Sequence, residues 1–356
     1  MMHFTPLSAK HLKSVLLTTA TVKICPSLTD KGRNMNQDVI KPDFLKIFHP
    51  RHLPDLQRVS TGDARFVHYT TAETAFKIFT NSELWLRNVT LMNDYSEIDY
   101  GVDLIRQWLQ LEKSVAFWNI LEKFHLGSKQ QIIDTVESWI TDWRHETYIL
   151  CISEHLASED LTGRLSMWRA YGNIALVIKS TPMAASTDRL GAYSIPVTYW
   201  RQGEFNSEMD RITTELEKFF VAGHKFSENQ IPSWVHQFFF NVAIGSKHPG
   251  FHEEKEWRVY FRPNEPNDER SNAIQSDIVV IGGVPQIVWK LPLRNAPEEG
   301  LYSAHLDHLL DRVIIGPCDF PFISAQAMRK KLHSVGVSEP EKRVVISDLP
   351  LRTSGR

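Results

Sequence analysis

The sequence predicts an α+β fold, a central mixed or antiparallel sheet with flanking helices, on three observations. Strand-like segments such as RFVHYT (65–70) and EWRVYFRP (256–263) alternate irregularly with segments whose apolar residues recur at helical spacing. No GxGxxG follows a strand and no GxxxxGK[ST] occurs, so the phosphate-binding loops of doubly wound and P-loop folds are missing. The 356 residues are 42% hydrophobic and 23% charged, ordinary for a chain that buries a core.

Residues 1–60 lack sustained periodicity and contain the polar run CPSLTDKGRNMNQD (25–38). They read as a poorly ordered extension with a short helix near DFLKIFH (43–49). Residues 61–356 then form a single α+β domain, with helical insertions at about 98–145 and 205–245. RFVHYT opens that domain as a strand. Thr70 and Glu73 have capping-box spacing, and Ala72, Ala75, Phe76 and Phe79 share the helical face that follows. ELWLRNV (83–89) reads as a strand. Asp94 and Glu97 repeat the capping spacing before a helix through Ile98, Val102, Ile105 and Leu109. A second helix carries Ile132, Ile133, Val136, Trp139, Ile140 and Trp143 on one stripe.

TYILCISE (147–154) is a further strand, LTGRLSMWRAYG (161–172) a helix or turn, and IALVIKS (174–180) and YSIPVTYW (193–200) strands. Helical spacing returns at about 206–222 and 233–244. EWRVYFRP, DIVVIGG (277–283), QIVWKLPL (286–293) and RVIIGP (312–317) are four more strand segments. A last helix near 323–335 precedes RVVISDLP (343–350).

A formal net charge of −2 gives no global basic footprint, so nucleic acid is not demanded as a partner. Cys25, Cys151 and Cys318 are few, distant and odd in number, which argues against a disulfide framework and a cysteine zinc site and favours a reducing compartment. No stretch reaches the roughly 18 apolar residues of a membrane span. SVLLTTATV (14–22) is short and Thr-rich beside a secretory signal. A cytoplasmic location without a membrane partner is the expectation.

Four places carry candidate chemistry. His68 ends the first strand, with Tyr69 directed to its opposite side. SMWRAYG (166–172) crowds Trp168, Arg169 and Tyr171 before an apolar strand, either as a core anchor or as a stacking platform with a phosphate-binding guanidinium. In HEEKEWRVYF (252–261), alternation places Glu254, Glu256, Arg258 and Tyr260 on one strand face, which is either solvated or a site. Paired carboxylates can stabilise an oxocarbenium-like transition state and orient a nucleophile. The alternative parsing, Glu253 with Lys255, matches the E-x-K of metal-dependent nucleases, with Asp94 as a distant acid. The HxxH pairs in HPRH (49–52) and HLDH (305–308) lack a third ligand, so no metal is expected. No GxSxG occurs.

HYT (68–70), LW (84–85), MNDYSE (92–97), CISE (151–154), MWRAYG (167–172), KHPGFHEEKEWR (247–258), VIIGP (313–317) and SDLPLR (347–352), in that order, resemble a bacterial family built on a domain of unknown function. The resemblance spans about residues 65–352. More distantly, the layout is similar to the ADP-ribosyltransferase superfamily, whose NAD site uses a His ending an early strand, an aromatic after a middle strand and a Glu on a later one, although the aromatic here precedes its strand.

That second resemblance implies an ADP-ribosyltransferase-like core and NAD as substrate, with transfer to a macromolecular acceptor, protein or nucleic acid, in a toxin or antiphage-defence setting. His68 would bond the nicotinamide ribose and Tyr171 would stack on nicotinamide. Glu256 would hold the ribose 2′-hydroxyl, and Glu254 would orient the acceptor. Arg258, Arg169 or Arg164 would neutralise the pyrophosphate. The passage from MWRAYG straight into NIALVI departs from the pattern, leaving open whether Tyr171 or Trp168 faces the ligand. The alternatives are the nuclease and a non-catalytic nucleotide-sensing module.

Overall fold

The computed structural model describes residues 45–92, 97–184, 189–224, 230–265, 271–299 and 301–350. The run CPSLTDKGRNMNQD and the residue Asp94 lie outside them, as does the side chain of Glu97. In chain order the elements are α1 (Leu53–Ser60), β1 (Arg65–Thr70), α2 (Ala72–Asn81), β2 (Glu83–Asn88), α3 (Glu97–Leu109), α4 (Ser114–Phe124), α5 (Ser128–Glu146) and β3 (Tyr148–Glu154). They continue with α6 (Leu165–Tyr171), β4 (Ile174–Lys179), β5 (Ala192–Pro196), β6 (Thr198–Tyr199), α7 (Gln202–Val221), α8 (Gln230–Gly245), β7 (Ser246–Lys247) and β8 (Glu256–Phe261). The last are β9 (Gln275–Ile281), β10 (Val284–Pro292), α9 (Leu306–Leu309), β11 (Leu310–Ile315), α10 (Pro321–Ser334), α11 (Pro340–Arg343) and β12 (Val344–Ile346).

A mixed sheet of ten strands runs β12-β11-β4-β1-β3-β2-β10-β9, with β8 also on β3 and β5 beyond it. All of its pairings are antiparallel except β11 with β12. β3 holds it together because its residues are apolar on both faces. Ile149 joins the helical core, whereas Tyr148, Leu150 and Ile152 join the opposite one. β8 pairs with β3 from Tyr148 to Ser153. The other edge of β3 is shared: β1 meets it at Ser153 and Glu154, and β2 only at Tyr148 and Ile149. β1 and β2 therefore splay apart over Leu150–Ile152, and this gap positions the site.

The helical core packs α3, α4, α5, α7 and α8 against one sheet face around Trp108, Trp143, Phe239 and Phe240. α1, α2 and α10 cover the other face around Phe66, Phe79, Leu86 and Trp257. Burial of these large side chains, each worth about 1.5–3 kcal/mol, is what holds the layers. Among the described residues, no helix is long and apolar enough to cross a membrane.

Four local expectations change. Residues 45–60, expected within the extension, pack instead: Leu45, Ile47 and Phe48 enter the helical core, and Leu56 and Val59 the other one. The cap of α2 is Thr71, whose hydroxyl accepts from Thr74 N at 3.2 Å, while Glu73 pairs with Lys77 one turn on. Between the two expected insertion helices the chain forms a third, α4, because Phe117 packs edge-to-face and Trp118 at a tilt against Trp108. YSIPVTYW breaks after Pro196, so that β5 joins β8 and β6 pairs parallel with β7.

Candidate functional site

The splay between β1 and β2 opens a cavity of about 590 Å³. Its lining includes His68 of β1, Cys151 of β3, Tyr171 of α6, and Glu254 and Glu256 at the start of β8. From β2 come Glu83, Trp85 and Arg87, and the β9–β10 hairpin closes one side through Val279–Gly282. Gly282 and Gly283, both at positive φ, make the two-residue turn of that hairpin.

His68 sits where β1 leaves β3. Its Nδ1 lies 3.2 Å from Cys151 O, on the stretch of β3 edge that neither neighbour pairs. A carbonyl only accepts, so Nδ1 carries the proton and Nε2 is left as an acceptor. Burial lowers the His68 pKa below its usual value, partly opposed by this hydrogen bond, so the ring is neutral at neutral pH.

Tyr171 reaches the cavity because α6 ends hard against β1. A Cβ on Gly172, which has φ +128°, would lie 2.5 Å from Thr70 O, so only glycine permits the approach. Burial, aided by the charge of Glu254, raises the Tyr171 pKa above the usual phenol range. The hydroxyl therefore keeps its proton and donates to Glu254 Oε1 at 3.3 Å.

The two glutamates differ from the expected strand-face pair. Glu254 closes a 3-10 turn (Pro249–Glu254), and Lys255 then adopts a left-handed conformation (φ 44°) before β8 begins. Both carboxylates are buried rather than solvated. Lys247, itself buried, bridges them, with Nζ donating to Glu254 Oε2 at 2.7 Å and to Glu256 Oε2 at 2.9 Å. Arg258 Nε donates to Glu256 Oε1 at 2.8 Å and its Nη1 to Ile244 O at 2.6 Å. Burial alone would raise the Glu256 pKa, but the charges of Arg258 and Lys247, with hydrogen bonds from Arg258 and Cys151, hold it down to about 2. The result is a neutral quartet of two carboxylates and two cations.

His68, Tyr171, Glu254 and Glu256 thus meet on one cavity, and other expected site residues do not. Trp168 is a core anchor: its ring packs on Tyr69 at 4.8 Å and its Nε1 donates to Thr162 O. Arg169 is exposed and Arg258 lies beneath Glu256, and neither lines the cavity. Arg164 is a brace, bonded to Glu159 and to the carbonyls of Glu154 and Glu254. Glu253 and Lys255 of the nuclease parsing are exposed and outside the cavity lining. His49 and His52 stack on each other at 5.2 Å. Among the described residues no group of three or more His, Cys, Asp or Glu is placed to hold a metal.

Lys247 and Arg87 escaped the sequence reading. Lys247 opens the KHPGFHEEKEWR segment without a visible partner, since the turn that brings both glutamates to it is set by the backbone at Lys255. Arg87 could have been found from alternation, because Glu83, Trp85 and Arg87 share the strand face opposite Leu84 and Leu86.

A DUF2971 domain, described as a protein of unknown function, is found over residues 167–259, which include Tyr171, Lys247, Glu254 and Glu256. No curated protein and no solved structure matches the chain.

Proposed function

We propose that this cleft binds NAD and transfers its ADP-ribose moiety to a macromolecular acceptor. The observation that carries the reading is the meeting of His68, Tyr171, Glu254 and Glu256, drawn from nearly two hundred residues of sequence, on one cavity. About 590 Å³ lies within the range of pockets that bury small molecules and cofactors. The groups suit the ligand: Nε2 of neutral His68 accepts from a ribose hydroxyl, and the Tyr171 ring offers nicotinamide a stacking surface. Glu256, ionised throughout the physiological range, accepts from the 2′-hydroxyl and stabilises positive charge at C1′.

In this reaction the C1′–N bond breaks and its electron pair leaves with nicotinamide. A lone pair of the acceptor then forms the new bond to C1′, and the acceptor proton passes to Glu254. The balanced charge of the quartet gives Lys247 a definite part. It holds both carboxylates in place and helps keep Glu256 ionised, at the cost of some of their attraction for the oxocarbenium.

Nicotinamide release from labelled NAD tests the proposal. Wild-type protein is expected to release nicotinamide or label an acceptor. Glu256→Gln should lose at least roughly a hundredfold in rate, as expected when a charge-stabilising group is removed. Because Glu256 is ion-paired on two sides, its fold is checked by circular dichroism, and Tyr171→Ala provides a second variant outside the quartet. Absence of both NAD binding and nicotinamide release overturns the reading; binding without release points to the sensing module instead.

A further inference from the structure

The pyrophosphate arginines expected from the sequence are committed or misplaced, yet the cavity does contain an available guanidinium. Arg87 lines it from β2, and among the described residues its one side-chain hydrogen bond is Nε to Gln286 Oε1 at 2.9 Å. Among the described residues no carboxylate pairs with it. Lys77, another lining cation, is already neutralised by Glu73 at 2.7 Å. Half-burial lowers the Arg87 pKa with no acid beside it to offset the cost. A guanidinium kept in a cavity with its two terminal nitrogens unspent is suited to a planar, bidentate anion.

Its surroundings narrow the ligand. Trp85 lies two residues earlier on the same strand face, about 6.6 Å away along β2, and also lines the cavity. The Trp85 indole Nε1 is held by Glu83 Oε1 at 2.8 Å, which fixes the ring. Along β3, Arg87 is opposite Ile149 and Glu256 is opposite Ser153. Four residues of strand separate those registers by about 13 Å, so the cationic wall faces a different part of the ligand from the carboxylates.

We propose that Arg87 and Trp85 form a nucleoside-diphosphate subsite, Arg87 taking the phosphate oxygens and Trp85 stacking on the base. This rests on the transferase reading only in placing the subsite beside the ribose-binding residues; the subsite stands as a binding site without turnover.

Calorimetric titration with ADP, inorganic pyrophosphate and adenosine is the test, using wild type, Arg87→Gln, Arg87→Lys and Trp85→Ala. Wild type binds ADP, with affinity falling as salt rises. Arg87→Gln weakens ADP and pyrophosphate by roughly 10- to 100-fold, the worth of charge-assisted hydrogen bonds, and leaves adenosine within about twofold. Arg87→Lys restores only part of the loss, since an ammonium lacks the fork. Trp85→Ala weakens adenosine and ADP but not pyrophosphate. Failure of wild type to bind ADP, or equal ADP affinity in wild type and Arg87→Gln, overturns the subsite. If ADP binding depends on Arg87 but NAD releases no nicotinamide, the transferase reading falls alone. If NAD turns over with an unchanged KM in Arg87→Gln, the subsite falls alone.

Discussion

On the β8 side of the cleft, Lys247, Glu254, Glu256 and Arg258 are linked to one another at 2.7–2.9 Å, whereas on the β2 side Arg87 faces the same cavity with, among the described residues, one side-chain hydrogen bond, to a neutral amide. The first wall is a closed electrostatic unit whose members stabilise each other out of water. The second has a charge half-removed from water without a carboxylate partner among the described residues. A buried quartet can be kept for the fold, for chemistry or for both. An unpaired guanidinium in a cavity adds little to the fold, so its placement points to a ligand.

Breaking the closed wall should have the largest effect. Lys247→Met removes the cation between two buried carboxylates and leaves Arg258, on the far oxygen of Glu256, as the remaining cation of the quartet, which costs about 3–5 kcal/mol. Arg87→Gln loses one hydrogen bond of about 1 kcal/mol and relieves a desolvated charge, so its net cost should be smaller still. Urea denaturation of the two variants compares the walls directly. Equal losses would mean that the β2 wall also holds the fold.

Much of this architecture could be read from sequence, but the gap between the walls could not. RFVHYT, ELWLRNV and TYILCISE are apolar runs bounded by polar or helical segments, and each becomes a strand. What joins them is decided by register: β3 gives one edge to β8 and divides the other between β1 and β2. No local pattern encodes that division. Alternation did place Glu256, Arg258 and Tyr260 on one face, but it left open whether that face was solvated or a site. Lys247, from the other side of a turn, is what lets Glu254 and Glu256 be buried there.

Acid separates the groups of the cleft by the sign of their shifts. His68 has a lowered pKa, so below its unfolded value near 6.5 the unfolded chain binds a proton that the folded chain refuses. Stability therefore declines as pH falls below about 6.5, by up to about 1.4 kcal/mol per pH unit for this imidazole, until its folded pKa is reached. Glu256 acts lower: its stabilisation is full above its unfolded value near 4.5 and is lost as pH falls toward about 2. His49, His52, His155 and His236 shift in the same direction as His68. His68→Gln should thus remove one imidazole's share of the slope just below pH 6.5 and leave the Glu256 step below pH 4.5 in place. Unfolding free energies measured across pH 3–8 decide this, and an unchanged slope would mean that His68 is charged in the folded protein.

The smallest effect on ligand binding comes from the helix that closes the back of the gap and belongs to neither wall. Thr71 caps α2 by accepting from Thr74 N, and removing a threonine cap costs about 1 kcal/mol. Thr71→Ala should therefore lower stability by about that amount while leaving both charged walls in register, because neither Lys247 nor Arg87 contacts the cap through a hydrogen bond. Thr71 lines the cavity but lies outside the Arg87–Trp85 pair, so ADP affinity should stay within about twofold of wild type, each 1.4 kcal/mol of binding free energy being tenfold. A loss of ADP affinity as large as that of Arg87→Gln would show that the spacing of β1 and β2 is set by α2 from behind, not by the pairing of each strand with β3.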